Sequence, residues 1–223
     1  SSGVAANTDY YGAIKTGILD LIEREAIMRN WYEHKPPKII SSSVLPLHVQ
    51  RQIEYWKSKN RDVYVLDMGS IFAPTFQVLI VSENYPCFVS GASSSFDDSS
   101  GAIIKALNEA EFSLLSAQKE ESNTLLLAEN VSTPLDHGAY YASNQHISSI
   151  SWLWSSKDIE SSIPEAKLDF ESVVELLDPI IVDINDRESY VKVIRAISKK
   201  CLPISFGFGL DYYSHPILDG KVL

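Results

Sequence analysis

A long amphipathic helix near the start of the chain most constrains what this sequence can fold into. Apolar side chains recur every three or four positions through residues 9–33, so one face of this helix needs to be covered by other elements. Asp9 is a typical N-cap, and Lys35-Pro36-Pro37 ends the helix because proline disfavours helical geometry in the residue before it. The pattern predicts a folded domain built around this helix.

Further helices and strands follow without regular alternation. Helical periodicity predicts helices at residues 46–59, 102–118 and 170–177. Runs of β-branched and aromatic residues predict strands at residues 63–68, 76–81, 87–91, 180–184, 190–197 and 203–209. The fourth of these reads as a buried strand, and the polar, Ser-rich residues 119–168 predict a less regular insertion or subdomain. We therefore predict an α+β fold, with mixed or antiparallel sheets that carry long amphipathic helices, in one domain over residues 1–223.

The composition narrows the classes of function. A net charge of −10 disfavours nucleic acid or an anionic membrane as a non-specific partner, because affinity for phosphate needs clustered cations. The apolar runs are far shorter than the ~20 residues of a membrane span, and no signal-peptide pattern is visible. Cys87 and Cys201 form no C-x-x-C pair, so two reduced thiols in a cytoplasmic protein are favoured over a long-range disulfide.

One group of charged residues could carry chemistry on the first helix. Asp20, Glu23 and Arg24 stand at positions i, i+3 and i+4, so they share one helix face. Two carboxylates can hold a divalent cation through oxygen, and a guanidinium can bind phosphate. Spacing alone favours the simpler interpretation, which is a solvated helix face with an intrahelical ion pair.

Other charged residues are less specific. Lys105 and Glu109 lie four positions apart on a helix and suit a surface pair. Arg195 interrupts an apolar strand and either points into a cavity or extends from an edge strand towards solvent. The dipeptide Asp136-His137 could do acid–base work, but a structural role is favoured for it. The sequence assigns a catalytic role to no residue.

Four segments carry motifs that occur, in the same order, in one known family. They are residues 2–31 with Asp20-Leu21-Ile22-Glu23-Arg24-Glu25-Ala26, residues 91–110 with Ala106-Leu107-Asn108-Glu109-Ala110, residues 135–141 with Leu135-Asp136-His137, and residues 181–207 with Val193-Ile194-Arg195-Ala196-Ile197. Together they resemble the YcaO domain, the ATP-using part of thiazole- and oxazole-forming peptide cyclodehydratases. The resemblance covers most of the chain.

The resemblance implies an ATP-dependent enzyme of peptide maturation. In such enzymes ATP and Mg²⁺ lie among acidic helix faces, and the amide oxygen of the substrate peptide is phosphorylated. A neighbouring Cys, Ser or Thr side chain attacks the amide carbon, and an azoline ring forms as phosphate leaves. The implied partners are a ribosomally made precursor peptide of the bacteriocin or microcin type, a leader-binding subunit or domain, and a flavin dehydrogenase.

The resemblance also implies roles for particular residues. By their positions in the motif, Asp20 and Glu23 correspond to the family's carboxylates on the metal side of the nucleotide. The ATP-binding residues carried over in the same way are Arg24, Lys105, Glu109 and Arg195.

The chain departs from the family pattern at several positions. Thr8 and Gly12 stand where family members usually have Asn and Glu. Lys105 stands where Arg is usual, and lysine cannot make the paired hydrogen bonds of a guanidinium group. An acidic helix of the family pattern would precede Ser1, so we expect a C-terminal portion of a longer protein. We therefore predict an incomplete nucleotide site and a chain that alone is inactive and binds ATP weakly or not at all.

Two alternatives stay open at the level of sequence. One is a degenerate YcaO-like scaffold that binds peptide or a sister subunit without turning over ATP. The other is an ordinary α+β domain with no nucleotide site. The nucleotide hypothesis makes one geometric prediction. The acidic and basic residues of the first helix should lie around one hollow together with Lys105 and Arg195.

Overall fold

The structure is a computed structural model that describes residues 2–119, 126–185 and 190–204. Its helices are α1 (Tyr10–Glu33), α2 (Leu47–Ser58), α3 (Ser99–Lys119), α4 (Pro134–Ala142), α5 (Ile147–Ile150) and α6 (Phe170–Leu177). Its strands are β1 (Val4–Asn7), β2 (Lys38–Ile40), β3 (Asp62–Asp67), β4 (Thr75–Val81), β5 (Phe88–Ser94), β6 (Ile159–Glu160), β7 (Ile180–Asp183) and β8 (Lys192–Ile197). The predicted α+β class is confirmed. None of the described helices is both long and apolar enough to cross a membrane.

Helix α1 begins and ends where the sequence predicts. The Asp9 side chain accepts a hydrogen bond of 2.8 Å from the backbone N–H of Gly12, as an N-cap does. At the other end His34 adopts a left-handed conformation with φ 48°, and its N–H bonds to the carbonyl oxygen of Asn30. The helix therefore stops just before the two prolines.

Two separate sheets organise the described residues. The larger has five strands in the order β5-β4-β3-β2-β6, antiparallel except for the parallel pair β2 and β6. The smaller is an antiparallel sheet of three strands in the order β1-β8-β7. The expectation of mixed or antiparallel sheets is thus confirmed.

The larger sheet is covered on both faces. Side chains alternate along β4, so Phe76, Val78 and Ile80 pack in the core shared with α2 and α3. Leu79, on the opposite face, packs in a core that includes Ala26 of α1. Helices α1 and α3 therefore lie on opposite faces of the sheet, and both pack against its edge strand β5.

Gly91 lets α3 lie directly on the edge strand. A Cβ atom at this position would stand 2.3 Å from the carbonyl oxygen of Ala106 and 2.5 Å from the backbone nitrogen of Ala110. Both atoms belong to the helix backbone, which cannot give way as a flexible side chain can. The absence of a side chain at Gly91 therefore sets how closely α3 approaches β5.

The smaller sheet packs on α1 with one face only. Ile194 and Ala196 of β8 share a core with Ile18 and Ile22 of α1. The opposite face is exposed and largely apolar, with exposed side chains at Val4, Ile180, Val182 and Ile197. The prediction of a strand at residues 180–184 is right, but its burial is wrong, because β7 has nothing packed on its outer face among the described residues.

The polar region between α3 and α6 contains more regular structure than the sequence suggests. Within residues 126–168 lie α4, α5 and the short strand β6, which adds to the larger sheet beside β2. The strand predicted at residues 203–209 lies mostly outside the described residues, and the described part, 203–204, is not a strand. The other predicted helices and strands are present with small shifts of their ends.

Both cysteines are free thiols in buried positions. Burial raises the pKa of Cys201 to about 12, and it also raises the pKa of Cys87. We expect the thiols to react with 5,5′-dithiobis(2-nitrobenzoate) at pH 8 at least ~100-fold more slowly in the native chain than in guanidinium chloride, because only the exposed thiolate is nucleophilic. A rapid phase worth one thiol in the native chain would contradict the burial of that cysteine.

Candidate functional site

The predicted charged face is present on the middle of α1. Arg24 Nη2 lies 3.5 Å from Asp20 Oδ1 and 3.7 Å from Glu23 Oε1. Asp20 Oδ2 also accepts a hydrogen bond of 2.6 Å from the backbone N–H of Gly3. Glu23 is buried, with 7% of its surface exposed, so the group is not the solvated helix face that spacing alone favoured.

Glu23 holds its proton unusually tightly for a carboxyl group. Burial raises its pKa to about 7, and the negative charges of Glu109 and Asp20 act in the same direction. The cations Arg24 and Lys105 act against this rise. The charged groups of α1 and α3 therefore influence one another across the space between the two helices.

Helix α3, which packs on the edge strand of the larger sheet, contributes the charged residues Lys105 and Glu109. Glu109 Oε2 accepts a hydrogen bond of 3.2 Å from the backbone N–H of Ala92 on β5. Lys105 stands one helical turn earlier and is exposed. Both residues act electrostatically on Glu23, so they are not an isolated surface pair, and we group them with Asp20, Glu23 and Arg24 as the charged cluster.

Arg195 lies apart from this cluster. Ile194 and Ala196 point towards α1, so the residue between them is exposed on the other face of the smaller sheet. Its register partners are Val4 and Val182, one on each neighbouring strand, which makes β8 a central strand. Strand alternation turns Arg195 away from α1, so it does not converge with the charged cluster as expected, and its role in binding ATP stays a prediction.

The dipeptide Asp136-His137 has the structural role that the sequence favoured. Asp136 Oδ2 accepts a hydrogen bond of 2.8 Å from the backbone N–H of Thr133, which is part of the capping box of α4. The His137 ring lies 5.7 Å from Trp31 and 4.9 Å from Tyr141, and burial lowers its pKa. Asp136 is therefore the N3 residue of the capping box, and His137 belongs to an aromatic cluster.

The carboxylates fit one side of a magnesium–nucleotide complex. In the described part of the chain, no three acidic, histidine or cysteine side chains come together as metal ligands. Mg²⁺ in nucleotide sites is usually held by one or two carboxylates together with substrate phosphates. Asp20 and Glu23, beside the cations Arg24 and Lys105, match that donor set, since the cations can face the phosphates.

The residues at the start of α1 lack the Asn and Glu of the family pattern. A Cβ atom at Gly12 would lie 2.5 Å from Nδ2 of Asn7, so the Asn7 side chain fills the space beside it. Asn7 Oδ1 accepts a hydrogen bond of 2.7 Å from the backbone N–H of Thr8. These positions make a local turn in this chain.

A cavity of about 690 Å³ continues the space between α1 and α3 beyond Arg24. Helix α1 contributes Ile27, Met28 and Trp31, which follow Arg24 along the helix, and α3 contributes Phe112, Ser113 and Ser116, which follow Glu109. The two helices lie on opposite faces of the sheet and both pack against its edge strand β5, whose residues Phe88, Val89 and Ser90 also line the cavity. The charged cluster and the cavity therefore lie along the same edge of the sheet.

Gln77 lies in this cavity and was missed by the sequence analysis. It is a polar residue inside the apolar strand β4, and alternation places it on the same face as Leu79, towards α1. It is 8% exposed, and its Oε1 has no hydrogen-bond partner among the residues described. The polar interruption is visible in the sequence, but the helix that covers that face is not.

Solved structures share this fold. They include a heterocyclase in complex with substrate and cofactor (TM-score 0.74, 18% identity), YcaO from Methanopyrus kandleri bound with AMPPCP and Mg²⁺ (0.71, 15%), and the E. coli microcin synthetase McbBCD complex with pro-MccB17 bound (0.71, 12%). They cover 100%, 90% and 100% of this chain, whereas the chain spans only 32%, 54% and 62% of theirs. Comparison with curated proteins found no match.

The family comparison agrees with the four sequence motifs. The family model described as YcaO cyclodehydratase, ATP- and Mg²⁺-binding, matches residues 1–198. This match includes α1, α3 and both sheets, and it confirms the resemblance stated from the sequence. The chain therefore belongs to the YcaO cyclodehydratase family.

Proposed function

We propose that the chain is the nucleotide-side portion of an ATP-dependent peptide cyclodehydratase. Its substrate is a ribosomally made precursor peptide, and its products are azoline rings formed from Cys, Ser or Thr. The observation that carries the proposal is the buried Glu23 carboxyl, which lies 3.7 Å from Arg24 and is under the electrostatic influence of Asp20, Glu109 and Lys105. Family membership supplies the reaction class, and this cluster supplies the charges that the reaction needs.

The roles of the residues follow from the chemistry of the reaction. An amide oxygen is a poor leaving group, and bound Mg-ATP supplies the phosphoryl group that converts it into a good one. The oxygen departs as phosphate, and the peptide loses the equivalent of one water. Arg24 and Lys105 neutralise phosphate charge, while Asp20 and Glu23 orient the metal side of the nucleotide. None of these residues has to form a covalent bond.

We propose the partners that the family pattern implies. They are the precursor peptide, a leader-binding subunit or domain, and a flavin dehydrogenase that oxidises azolines. Similarity of fold to a synthetase complex bound to its own precursor supports the first two. Two buried free thiols support a reducing compartment, and we place the protein in the cytoplasm.

Isothermal titration with Mg-ATP tests the nucleotide site. We expect the longest native form of the protein to bind, and Arg24→Gln or Lys105→Gln to weaken binding at least ~tenfold, because each removes a charge-assisted contact to phosphate. The matched control is Glu54→Gln, which alters an exposed acid on α2 and is expected to bind as the unmodified protein does. The 223-residue chain alone is expected to bind weakly or not at all.

The same titration separates the enzyme from a degenerate scaffold. Restoring the family pattern with Thr8→Asn and Gly12→Glu is expected to strengthen binding of Mg-ATP, and the Cβ added at Gly12 would meet the flexible side chain of Asn7. A scaffold would give no heat with the longest native form and no gain from the restoring changes, and that result would overturn the proposal. Tight binding by the 223-residue chain would show instead that the site is complete.

A further inference from the structure

Strand β5 has an outer edge with a row of outward-facing backbone groups. It is the outermost strand of the larger sheet and pairs on one side only, with β4. The backbone N–H of Ala92 points away from β4, since it donates a hydrogen bond to Oε2 of Glu109. Alternate residues of an antiparallel strand direct N–H and C=O to the same side, so Phe88 and Ser90 also direct theirs outwards. This row of donors and acceptors ends at Glu109.

The cavity passes along this edge. Its lining includes Trp31 of α1, which packs on one face of the sheet, and Ser116 of α3, which packs on the other face. Phe88 and Ser90 of β5 line it between the two helices. Because one cavity reaches residues on both faces of the sheet, its occupant meets the outward-facing N–H and C=O groups of β5.

The walls of the cavity favour an uncharged occupant that carries hydrogen-bonding groups. Among its described lining residues Arg24 is the one with a permanent charge, and most of the others are apolar or aromatic, including Ile27 and Leu153. A charged group inside would lose its hydration without gaining a partner. A purely apolar group would cover the N–H and C=O groups of the edge without pairing them, which costs free energy.

The spacing of the outward row fits a peptide backbone. Phe88 and Ser90 are two residues apart, which is ~7 Å along a strand. An extended peptide repeats its own N–H and C=O groups at this interval and pairs with an edge strand at a separation of ~4.8 Å. Addition of a strand to an open edge is a general way in which proteins bind extended peptides. The edge of β5 thus selects for a peptide over other uncharged groups.

We propose that the precursor peptide adds to the outer edge of β5 as a short strand, beside the residue that is cyclised, with its backbone paired to Phe88 and Ser90. This inference rests on the proposed function and names how the site recognises its substrate. Pairing ends at Ala92, whose N–H is already bound by Glu109, so the amide to be activated lies next to the charged cluster. Recognition then depends on backbone N–H groups of the peptide and tolerates many side chains.

N-methylation of a peptide tests this pairing directly. In an added strand alternate N–H groups bond to β5, and the others point away from it. The probe is acetyl-Gly-Val-Leu-Ala-Ser-Gly-amide, with a single N-methyl group placed in turn on its Val, Leu, Ala or Ser. We expect two positions of one parity to lose at least ~tenfold in affinity and the two positions between them to lose less than about twofold, because only the first pair donates to the edge.

NMR of the 223-residue chain measures these affinities without any nucleotide. The chain has two methionines, Met28 and Met68, and both line the cavity, so labelling with [¹³C-methyl]methionine gives two resonances that report binding. The bound probe is also expected to slow solvent exchange of the Ser90 N–H at least ~tenfold, because that group becomes paired. The N–H of Gly91, which is directed to β4, serves as the internal control and should not change.

Three variants of the chain test the location. Ser90→Pro removes one outward N–H at an edge position, where proline is tolerated, and is expected to weaken the probe at least ~tenfold. Ser116→Trp fills the cavity from α3 and is expected to cause a similar loss. Gln118→Trp, on the same helix outside the lining, is expected to leave binding unchanged. The N-methyl series needs no variant, so it tests the pairing even if Ser90→Pro does not fold.

The outcomes separate this inference from the proposed function. Binding of the probe with the alternating N-methyl pattern, but no binding of Mg-ATP by the longest native form, would retain the edge assignment and remove the enzyme. Binding of Mg-ATP by that form, with no methyl shift from the probe at several millimolar, would overturn the edge assignment alone. Equal effects of N-methylation at all four positions would also overturn it, and so would displacement of the probe by adenosine.

Discussion

Replacing Gly91 by alanine is expected to lower the free energy of unfolding by about 3 kcal/mol, at the upper end of the range for overpacked sites. The added Cβ would meet the backbone of α3 at Ala106 and Ala110, so the helix has to move away from β5. Chemical denaturation followed by tryptophan fluorescence measures the effect. Because α3 also carries Lys105 and Glu109, the same change should weaken any binding at the charged cluster.

The matched control is Gly138→Ala on α4, where an added Cβ has no heavy atom within 4 Å. Alanine is favoured over glycine inside a helix by about 0.8 kcal/mol, so this variant is expected to be slightly more stable. If Gly91→Ala were as stable as the unmodified chain, the close approach of α3 to β5 would be wrong.

Replacing Glu23 by glutamine is expected to stabilise the chain above pH 7 by about 3 kcal/mol and to change little near pH 4. The folded chain keeps the Glu23 proton up to a pKa of about 7, compared with an ordinary value of 4.5 when unfolded. Between these values the unfolded chain binds fewer protons, so stability falls as the pH rises through this window. The difference corresponds to about 3 kcal/mol at about 1.4 kcal/mol per pH unit.

Denaturation of the variant and the unmodified chain at pH 4, 6 and 8 measures this difference directly. Glu54→Gln on the exposed face of α2 serves as the control and is expected to show no pH-dependent difference from the unmodified chain. A constant gap between Glu23→Gln and the unmodified chain at all three pH values would mean that Glu23 titrates normally and that its burial is wrong.

Local chemistry made the helices predictable from the sequence. Asp9 caps α1 and Asp169 caps α6, where its side chain accepts a hydrogen bond of 2.8 Å from the backbone N–H of Ser172. Capping and periodicity act within a few residues, so they can be recognised without knowing what packs on the helix. The same holds for the shared face of Asp20, Glu23 and Arg24, which follows from helix geometry alone.

Burial depends on which elements meet, and here the sequence was less informative. The apolar run at residues 180–184 is typical of a strand covered on both faces, yet β7 belongs to a sheet with an exposed outer face. Conversely, spacing predicted a solvated Glu23, but 7% of its surface is exposed. Neither result follows from spacing, because each depends on contacts between distant segments.

The alternation of side chains along β8 explains why Arg195 lies apart from the charged cluster. Arg195 lies in a segment that matches the family pattern, but its neighbours Ile194 and Ala196 turn inwards and leave it on the outer face. The direction of alternate side chains is fixed once the buried pair is known. The sequence offered apolar residues on both faces of β8, so it did not identify the pair that packs on α1.

The hydrogen bond from the backbone N–H of Ala92 to the Glu109 carboxylate gives this residue a second role, at the edge of the larger sheet. Strand β5 is the outermost strand of its sheet, and the carboxylate occupies one of its otherwise unpaired N–H groups. Loss of Glu109 would free a site for pairing with another chain, besides removing a negative charge from the cluster. Aggregation and a weaker nucleotide site would then arise from one substitution, and solubility has to be measured before such a variant is interpreted as a defect in the proposed activity.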